Sequence, residues 1–154
     1  MSLALLFPGQ GAQRARMLHD LPPSPAVAAV VNESGWQIDD LDSPAALAST
    51  VNVQIALLIA GVAGARALVD DHGLVPEFVA GHSVGAFAAA VTAGVLTLAE
   101  ALTAVELRGR SMEKACAQGD WGMAAVRGLS TTAVARLVAE AREDGRRSVE
   151  GSEA

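Results

Sequence analysis

Basic and aromatic residues are scarce in this sequence. Its 154 residues include no tyrosine, and aromatic residues make up only 3% of the chain. Eleven lysines and arginines stand against seventeen aspartates and glutamates, which gives a formal net charge of −6. Proteins that bind nucleic acids need a basic surface and aromatic side chains on which bases stack, so we set that class of function aside.

Cysteine and long apolar runs are also limited. Cys116 is the single cysteine, which excludes an internal disulfide, and no metal-ligand spacing surrounds it. The first eight residues lack the basic start and the apolar length of a signal peptide. The longest uncharged stretch with helix potential, residues 51–65, is too short to cross a bilayer. These features predict a soluble, cytoplasmic protein without a metal.

The apolar fraction is large, at 51%, which is enough for one domain with a hydrophobic core. Short apolar runs predict buried strands at 3–7, 78–80 and 122–126. Helical patterns cover 52–69, 84–93, 97–117 and 130–142, whereas the proline-rich and acidic stretch 20–43 predicts short surface helices and loops. Strands that alternate with buried helices are typical of an α/β fold with a parallel sheet.

The pentapeptide Gly81-His82-Ser83-Val84-Gly85 has the pattern G-x-S-x-G. It follows a predicted strand and opens a predicted helix, the context in which this pattern presents a nucleophilic serine. The helix N-terminus behind Ser83 would supply backbone N–H groups for a developing oxyanion. The alternative is an ordinary glycine-rich connection whose serine caps the helix.

A nucleophilic serine needs a general base, and the three histidines are poor candidates. His82 precedes Ser83 within the turn, where its ring is not expected to reach the serine hydroxyl. His19 lies near a loop, and His72 fits a helix C-cap before Gly73. We therefore expect no histidine of this sequence to act as the base.

Three further residues are candidates for binding. Gln10 lies in a glycine-rich loop after the first strand, where a backbone amide could point at a ligand, although a simple strand exit explains the loop equally well. Arg108 could grip a carboxylate, or it could belong to a solvated helix face. Gln54 is polar within an apolar helix and needs a partner, which an ordinary core contact would also supply.

These segments, taken together and in this order, resemble the malonyl-CoA:acyl carrier protein transacylase family. The resembling stretches are Phe7-Pro8-Gly9-Gln10-Gly11-Ala12-Gln13, Gln54, the pentapeptide at 81–85, Leu107-Arg108-Gly109 with Met112, and Gly122-Met123-Ala124-Ala125-Val126. Asp42-Ser43-Pro44, Thr50-Val51-Asn52-Val53-Gln54 and Ala86-Phe87 look most like the transacylase subunit of malonate decarboxylase.

The resemblance implies an acyl transfer through Ser83. Ser83 would attack the thioester of malonyl-CoA and pass the malonyl group to the phosphopantetheine-type thiol of an acyl carrier protein. The backbone amides of Gln10 and Val84 would form the oxyanion hole. Arg108 would hold the malonyl carboxylate, with Gln54 hydrogen-bonding nearby, and no bound cofactor is implied.

The resemblance also implies a parallel sheet flanked by helices, with an α/β-hydrolase-like nucleophile elbow, in an incomplete large subdomain at 1–120. Residues 121–142 would begin a small ferredoxin-like subdomain, and 143–154 would form a disordered tail. Members of the family run about twice as far, and their catalytic histidine lies in the half that this sequence does not match. We therefore expect a truncated chain that is nearly inactive alone and that self-associates or pairs with a complementing chain.

Two alternatives remain open at this point. A serine esterase of the α/β-hydrolase type would use Ser83 but would have no role for Arg108. A catalytically incompetent fragment would bind a ligand or a partner without turnover, because it lacks the histidine base.

Overall fold

The chain divides into two compact units, Met1–Gly119 and Asp120–Ala154. The computed structural model describes residues 2–119, 121 and 126–150. The elements of the first unit are β1 (Ala4–Phe7), α1 (Pro25–Ser34), α2 (Ile38–Leu41), α3 (Thr50–Arg66), β2 (Phe78–Gly81), α4 (Gly85–Thr92) and α5 (Leu98–Ala115). In the second unit, α6 spans Thr131–Glu150. The predicted α/β class is confirmed.

The two strands pair in parallel, with α1 to α3 in the connection between them. Ala4 lies opposite Phe78, and Phe7 lies opposite Gly81. Because parallel strands end at the same edge, the loop after Phe7 and the turn after Gly81 leave the sheet side by side. This edge is where ligands bind in open α/β sheets.

Helix α3 is the centre of the core. Most of its side chains are buried, as its apolar pattern predicts, and α1, α4 and α5 pack against it. Together with the π-helical turn Ala67–Asp71 it forms a helical segment, Thr50–Asp71, that is long and apolar enough to cross a membrane, so the prediction from length alone was wrong. Of its most apolar window, 61% is buried inside the protein, which is the property of a core helix.

The N-terminus of α5 matches its sequence signal closely. Thr97 Oγ1 accepts a hydrogen bond from Glu100 N, and the Glu100 carboxylate accepts one from Thr97 N. Threonine followed three residues later by glutamate is the sequence signature of a reciprocal capping box, and the structure forms this box. The pKa of the Glu100 carboxyl group is lowered, because its carboxylate accepts hydrogen bonds from Thr97 N and from the Thr97 hydroxyl.

The burial predicted for both strands was wrong in part. Leu5 and Phe7 face the helices, whereas Leu6 is 77% exposed and Phe78 on the neighbouring strand is 64% exposed. Side chains alternate between the two faces of a strand, so Leu6 and Phe78 lie on a face of the sheet that the described residues leave exposed.

One stretch and one helix end differ from expectation, and one predicted strand lies mostly outside the described residues. The stretch 20–43 is not purely a surface segment, because Val30 and Leu41 are fully buried in the core. The last helix continues to Glu150, eight residues past the predicted end at 142, so a disordered tail from 143 was wrong as far as 150. The predicted strand at 122–126 falls on residues 122–125, which lie outside the described part of the chain.

Candidate active site

Ser83 occupies a sharp turn between β2 and α4. Its φ is +54°, a left-handed conformation that is uncommon for a residue with a side chain. The turn is held by hydrogen bonds from His82 N to Phe7 O (2.9 Å) and from Ala86 N to Ser83 O (3.1 Å). Holding a serine in this conformation costs about 1–2 kcal/mol, which the surrounding structure must offset.

Glycine at two positions allows this turn to sit against the end of β1. A Cβ atom on Gly85 would lie 2.3 Å from Phe7 O, and a Cβ atom on Gly9 would lie 2.6 Å from His82 Nδ1. Neither position can hold a larger residue without moving backbone or the neighbouring ring. The loop that carries Gln10 is therefore packed directly against the Ser83 turn.

The structure places Arg108 beside Ser83. Arg108 Nη2 donates a hydrogen bond to Ser83 Oγ at 2.9 Å, and its Nη1 donates to Gln54 Oε1 at 2.5 Å. Helices α3 and α5 and the turn before α4 thus bring the three residues together, although Arg108 is 25 positions from Ser83 and 54 positions from Gln54 in sequence. We call Ser83, Arg108 and Gln54 the Ser83 cluster.

Gln54 is fully buried, and both its amide oxygen and its amide nitrogen have a partner. Its Oε1 accepts from Arg108, and its Nε2 contacts Met112 Sδ at 3.3 Å. A buried amide needs such partners, and this one uses its oxygen to fix the direction of a guanidinium. Gln54 therefore lies beside Arg108, and its role in binding a malonyl carboxylate stays a prediction.

The cluster is suited to bind an anion next to a hydroxyl. Ser83 is exposed and Arg108 half-buried, so both are accessible. Arg108 carries a permanent positive charge that would stabilise negative charge developing at the hydroxyl or on a ligand bound there. Val84 follows Ser83 and is the N-cap residue of α4, so its N–H group lies at the N-terminus of the helix.

The three histidines do not supply a base to Ser83. Among the hydrogen bonds of residues 2–119, Ser83 Oγ is bonded to Arg108 and to none of the histidines. His82 lies against Gly9, and His72 follows the π-helical turn as its C-cap. His19 is engaged elsewhere.

Sequence reasoning missed the surroundings of His19. Its Nδ1 lies 2.8 Å from Asp42 Oδ2, and its Nε2 lies 3.0 Å from Asp39 Oδ1. Asp42 is buried, and its Oδ2 also accepts from Leu18 N and His19 N, each at 3.0 Å. We call His19, Asp39 and Asp42 the His19 cluster.

The hydrogen bond to Asp42 raises the pKa of His19 above 6.5, and the bond to Asp39 acts in the same direction. Desolvation opposes both effects but is outweighed. The acidic run at 39–42 was visible in the sequence, but nothing in its spacing showed that Asp42 turns inward.

Comparisons with known proteins decide the family. The acyl transferase domain family matches residues 4–147. The chain belongs to this family. The family resemblance seen in the sequence is confirmed by malonyl CoA-acyl carrier protein transacylase of Escherichia coli K12, which is 37% identical over 148 residues covering 91% of this chain. The enzyme of the same name from Bacillus subtilis is 32% identical over 93% of this chain.

Solved structures of this acyltransferase family share the fold. FabD of Acinetobacter baumannii superposes with a TM-score of 0.82 at 36% identity, over 94% of this chain and 48% of its own. A malonyl-transacylase solved in complex with a type II polyketide synthase acyl carrier protein superposes with a TM-score of 0.67 at 37% identity, over 75% of this chain and 40% of its own. The chain spans about half the length of the curated relatives it matches, since it covers 48% of the Escherichia coli enzyme.

Proposed function

We propose that Ser83 accepts a malonyl group from malonyl-CoA and passes it to the phosphopantetheine-type thiol of an acyl carrier protein. The observation that carries the proposal is the hydrogen bond from Arg108 to Ser83 Oγ within an acyl transferase domain. A malonyl thioester has a free carboxylate close to its reacting carbonyl. A cation beside the nucleophile therefore selects this substrate.

Each half of the transfer is balanced. In the first, an Oγ–C bond forms between Ser83 and the malonyl carbonyl, the C–S bond breaks, and CoA leaves with the serine proton as a thiol. In the second, the carrier thiol forms a new C–S bond, the Oγ–C bond breaks, and Ser83 regains a proton. No cofactor takes part.

The remaining residues have supporting roles in this proposal. Arg108 exchanges its bond to Ser83 for the malonyl carboxylate, while Gln54 holds the other side of the guanidinium. The backbone amides of Gln10 and Val84 stabilise the oxyanion, which is supported by the packing of the Gln10 loop against the Ser83 turn.

Removal of the proton from the Ser83 hydroxyl is the slow step in this proposal. Among the described residues no histidine bonds to Ser83, and loss of the base costs a serine nucleophile many orders of magnitude in rate. The family resemblance predicts that the histidine belongs to the half of the relatives that this chain does not match. We therefore propose that residues 1–154 by themselves are acylated slowly and only stoichiometrically, and that transfer is faster when a histidine base is present.

One solved relative supports the proposed partner. One solved relative is a malonyl-transacylase in complex with an acyl carrier protein, so a carrier protein is the proposed acceptor here. Within the family we favour the malonate decarboxylase type, because of the stretches at 42–44, 50–54 and 86–87 noted above. Such a protein would act in the cytoplasm as a soluble subunit.

Intact-mass measurement after incubation with malonyl-CoA or with an uncharged acyl ester tests the proposal. We expect a malonyl adduct that is absent from Ser83→Ala and retained in Ser111→Ala, a control that removes an exposed hydroxyl from α5. Labelling by the uncharged ester alone would overturn the proposal in favour of a serine esterase. The absence of any adduct would favour a binding fragment without catalysis.

Arg108→Ala tests the role of the cation. We expect malonyl labelling to fall by about 10–100-fold, since charge-assisted hydrogen bonds of this kind contribute about 1.5–3 kcal/mol. Labelling by the uncharged ester should change little. Arg110→Ala is the matched control, because Arg110 lies on the same helix and pairs with Glu106 at the surface.

A further inference from the structure

The N-terminus of α3 is capped by a carboxylate from another helix. No acidic residue lies in the first turn of α3. Instead, Glu113 of α5 places Oε1 3.0 Å from Ser49 Oγ and 3.3 Å from Val51 N. A carboxylate at a helix N-terminus satisfies a free N–H group and interacts favourably with the helix dipole.

Glu113 also completes the cap made by Ser49. Ser49 Oγ accepts from Asn52 N at 3.3 Å, so its own proton is free to be donated to Glu113. The carboxylate thus fixes the hydroxyl in the orientation that caps the helix.

Residues on the same face of α5 also contact α3 near the Ser83 cluster. A Cβ atom on Gly109 would lie 2.9 Å from Val51 Cα, which shows that the two backbones touch there. Arg108 and Met112 of α5 hold the two ends of the Gln54 amide. Glu113 adds a contact at the start of α3, where it accepts a hydrogen bond from Val51 N, about one turn before Gln54.

We propose that Glu113 is a positioning residue for the malonyl carboxylate, because it ties the start of α3 to α5 and so keeps Gln54 beside Arg108. The inference rests on the proposed function, since it assigns a use to the Arg108–Gln54 pair. Glu113 acts through these two residues and does not touch the substrate. Its loss changes the direction of the guanidinium while the Ser83 turn, built from β1, β2 and α4, keeps its own contacts.

Glu113→Ala is compared with Glu113→Gln, which keeps an acceptor oxygen, and with Glu106→Ala, which removes a carboxylate from the same helix. Adducts at Ser83 from malonyl-CoA and from acetyl-CoA are measured by intact mass. Amide exchange at Val51 and the NMR position of the Gln54 side-chain amide are measured in the same proteins.

We expect Glu113→Ala to lower the ratio of malonyl to acetyl labelling by about tenfold, since a displacement on the order of 1 Å at a positioning residue can cost up to about a hundredfold. Val51 should exchange faster, and the Gln54 amide should shift. Glu113→Gln should restore most of the ratio, and Glu106→Ala should resemble the unmodified chain.

An equal fall of malonyl and acetyl labelling would overturn the inference, because it would show general destabilisation. An unchanged ratio would overturn it as well. If the unmodified chain forms neither adduct, the proposed function fails, and the Gln54 amide decides the inference: a shift in Glu113→Ala alone supports it, and an unmoved signal refutes it.

Discussion

Two polar clusters of this protein each contain some of the groups that make up a serine hydrolase triad, which are a hydroxyl, a histidine and a carboxylate. The Ser83 cluster has a hydroxyl and a guanidinium, whereas the His19 cluster has a histidine held by two carboxylates. A triad joins a hydroxyl, a histidine and a carboxylate in one chain of hydrogen bonds. Within the described residues, neither cluster has all three.

The two clusters also differ in what their surroundings provide. Ser83 sits in a left-handed conformation at a turn where Gly85 touches the end of β1. Asp42 is buried and accepts hydrogen bonds from two backbone amides as well as from His19. Strain at an exposed hydroxyl is typical of a site built for chemistry, and a buried carboxylate with several donors is typical of one built for stability. A histidine beside an aspartate therefore does not by itself indicate a catalytic site.

The largest expected effect comes from filling the space behind the Ser83 turn. Gly85→Ala places a Cβ atom against Phe7 O, so we expect a loss of about 3 kcal/mol or more in the free energy of unfolding. Urea denaturation measures it. Gly64→Ala is the control: this helical glycine has open space around its missing Cβ, and alanine there should stabilise the protein by about 0.5–1 kcal/mol. A well-tolerated Gly85→Ala would contradict the tight packing of the turn.

A smaller effect should reveal the strain at Ser83 itself. Ser83→Gly and Ser83→Ala both remove the hydroxyl, but glycine adopts a positive φ without steric cost. We expect the glycine variant to be more stable than the alanine variant by about 1 kcal/mol, measured from the same denaturation curves. Equal stabilities would mean that the turn stores no strain.

The smallest effect concerns the charge of His19. The hydrogen bond to Asp42 raises the pKa of His19 in the folded protein above 6.5. Protonated His19 therefore stabilises the fold. This stabilisation is fully present below pH 6.5 and is lost as the pH rises through the pKa of the folded protein. Melting temperatures at about pH 5.5 and about pH 8.5 measure this, on either side of the ordinary histidine pKa. The unmodified chain should lose more stability over this rise than His19→Gln does. His72→Gln is the control, because it changes a histidine that follows the π-helical turn, and it should behave like the unmodified chain. If His19→Gln loses as much stability over this pH range as the unmodified chain does, the prediction is refuted.

Local patterns predicted local structure well. The apolar run before Pro8, the G-x-S-x-G turn at Ser83 and the capping box at Thr97 each depend on residues within a few positions of one another. The inward turn of Asp42 and the one-sided cover of the sheet were missed, because each depends on which distant elements pack there.

The sequence by itself determined the order of strands and helices, the bend that exposes Ser83 and the family to which the chain belongs. Those properties follow from residue spacing, backbone preferences and motifs that lie close together along the chain. The family resemblance implied that Gln54 lies near Arg108, but only the tertiary structure decided that Arg108 donates a hydrogen bond to Ser83 and that Glu113 caps α3. Contacts between distant segments depend on how helices cross and on which backbones can touch, and no local pattern encodes that geometry.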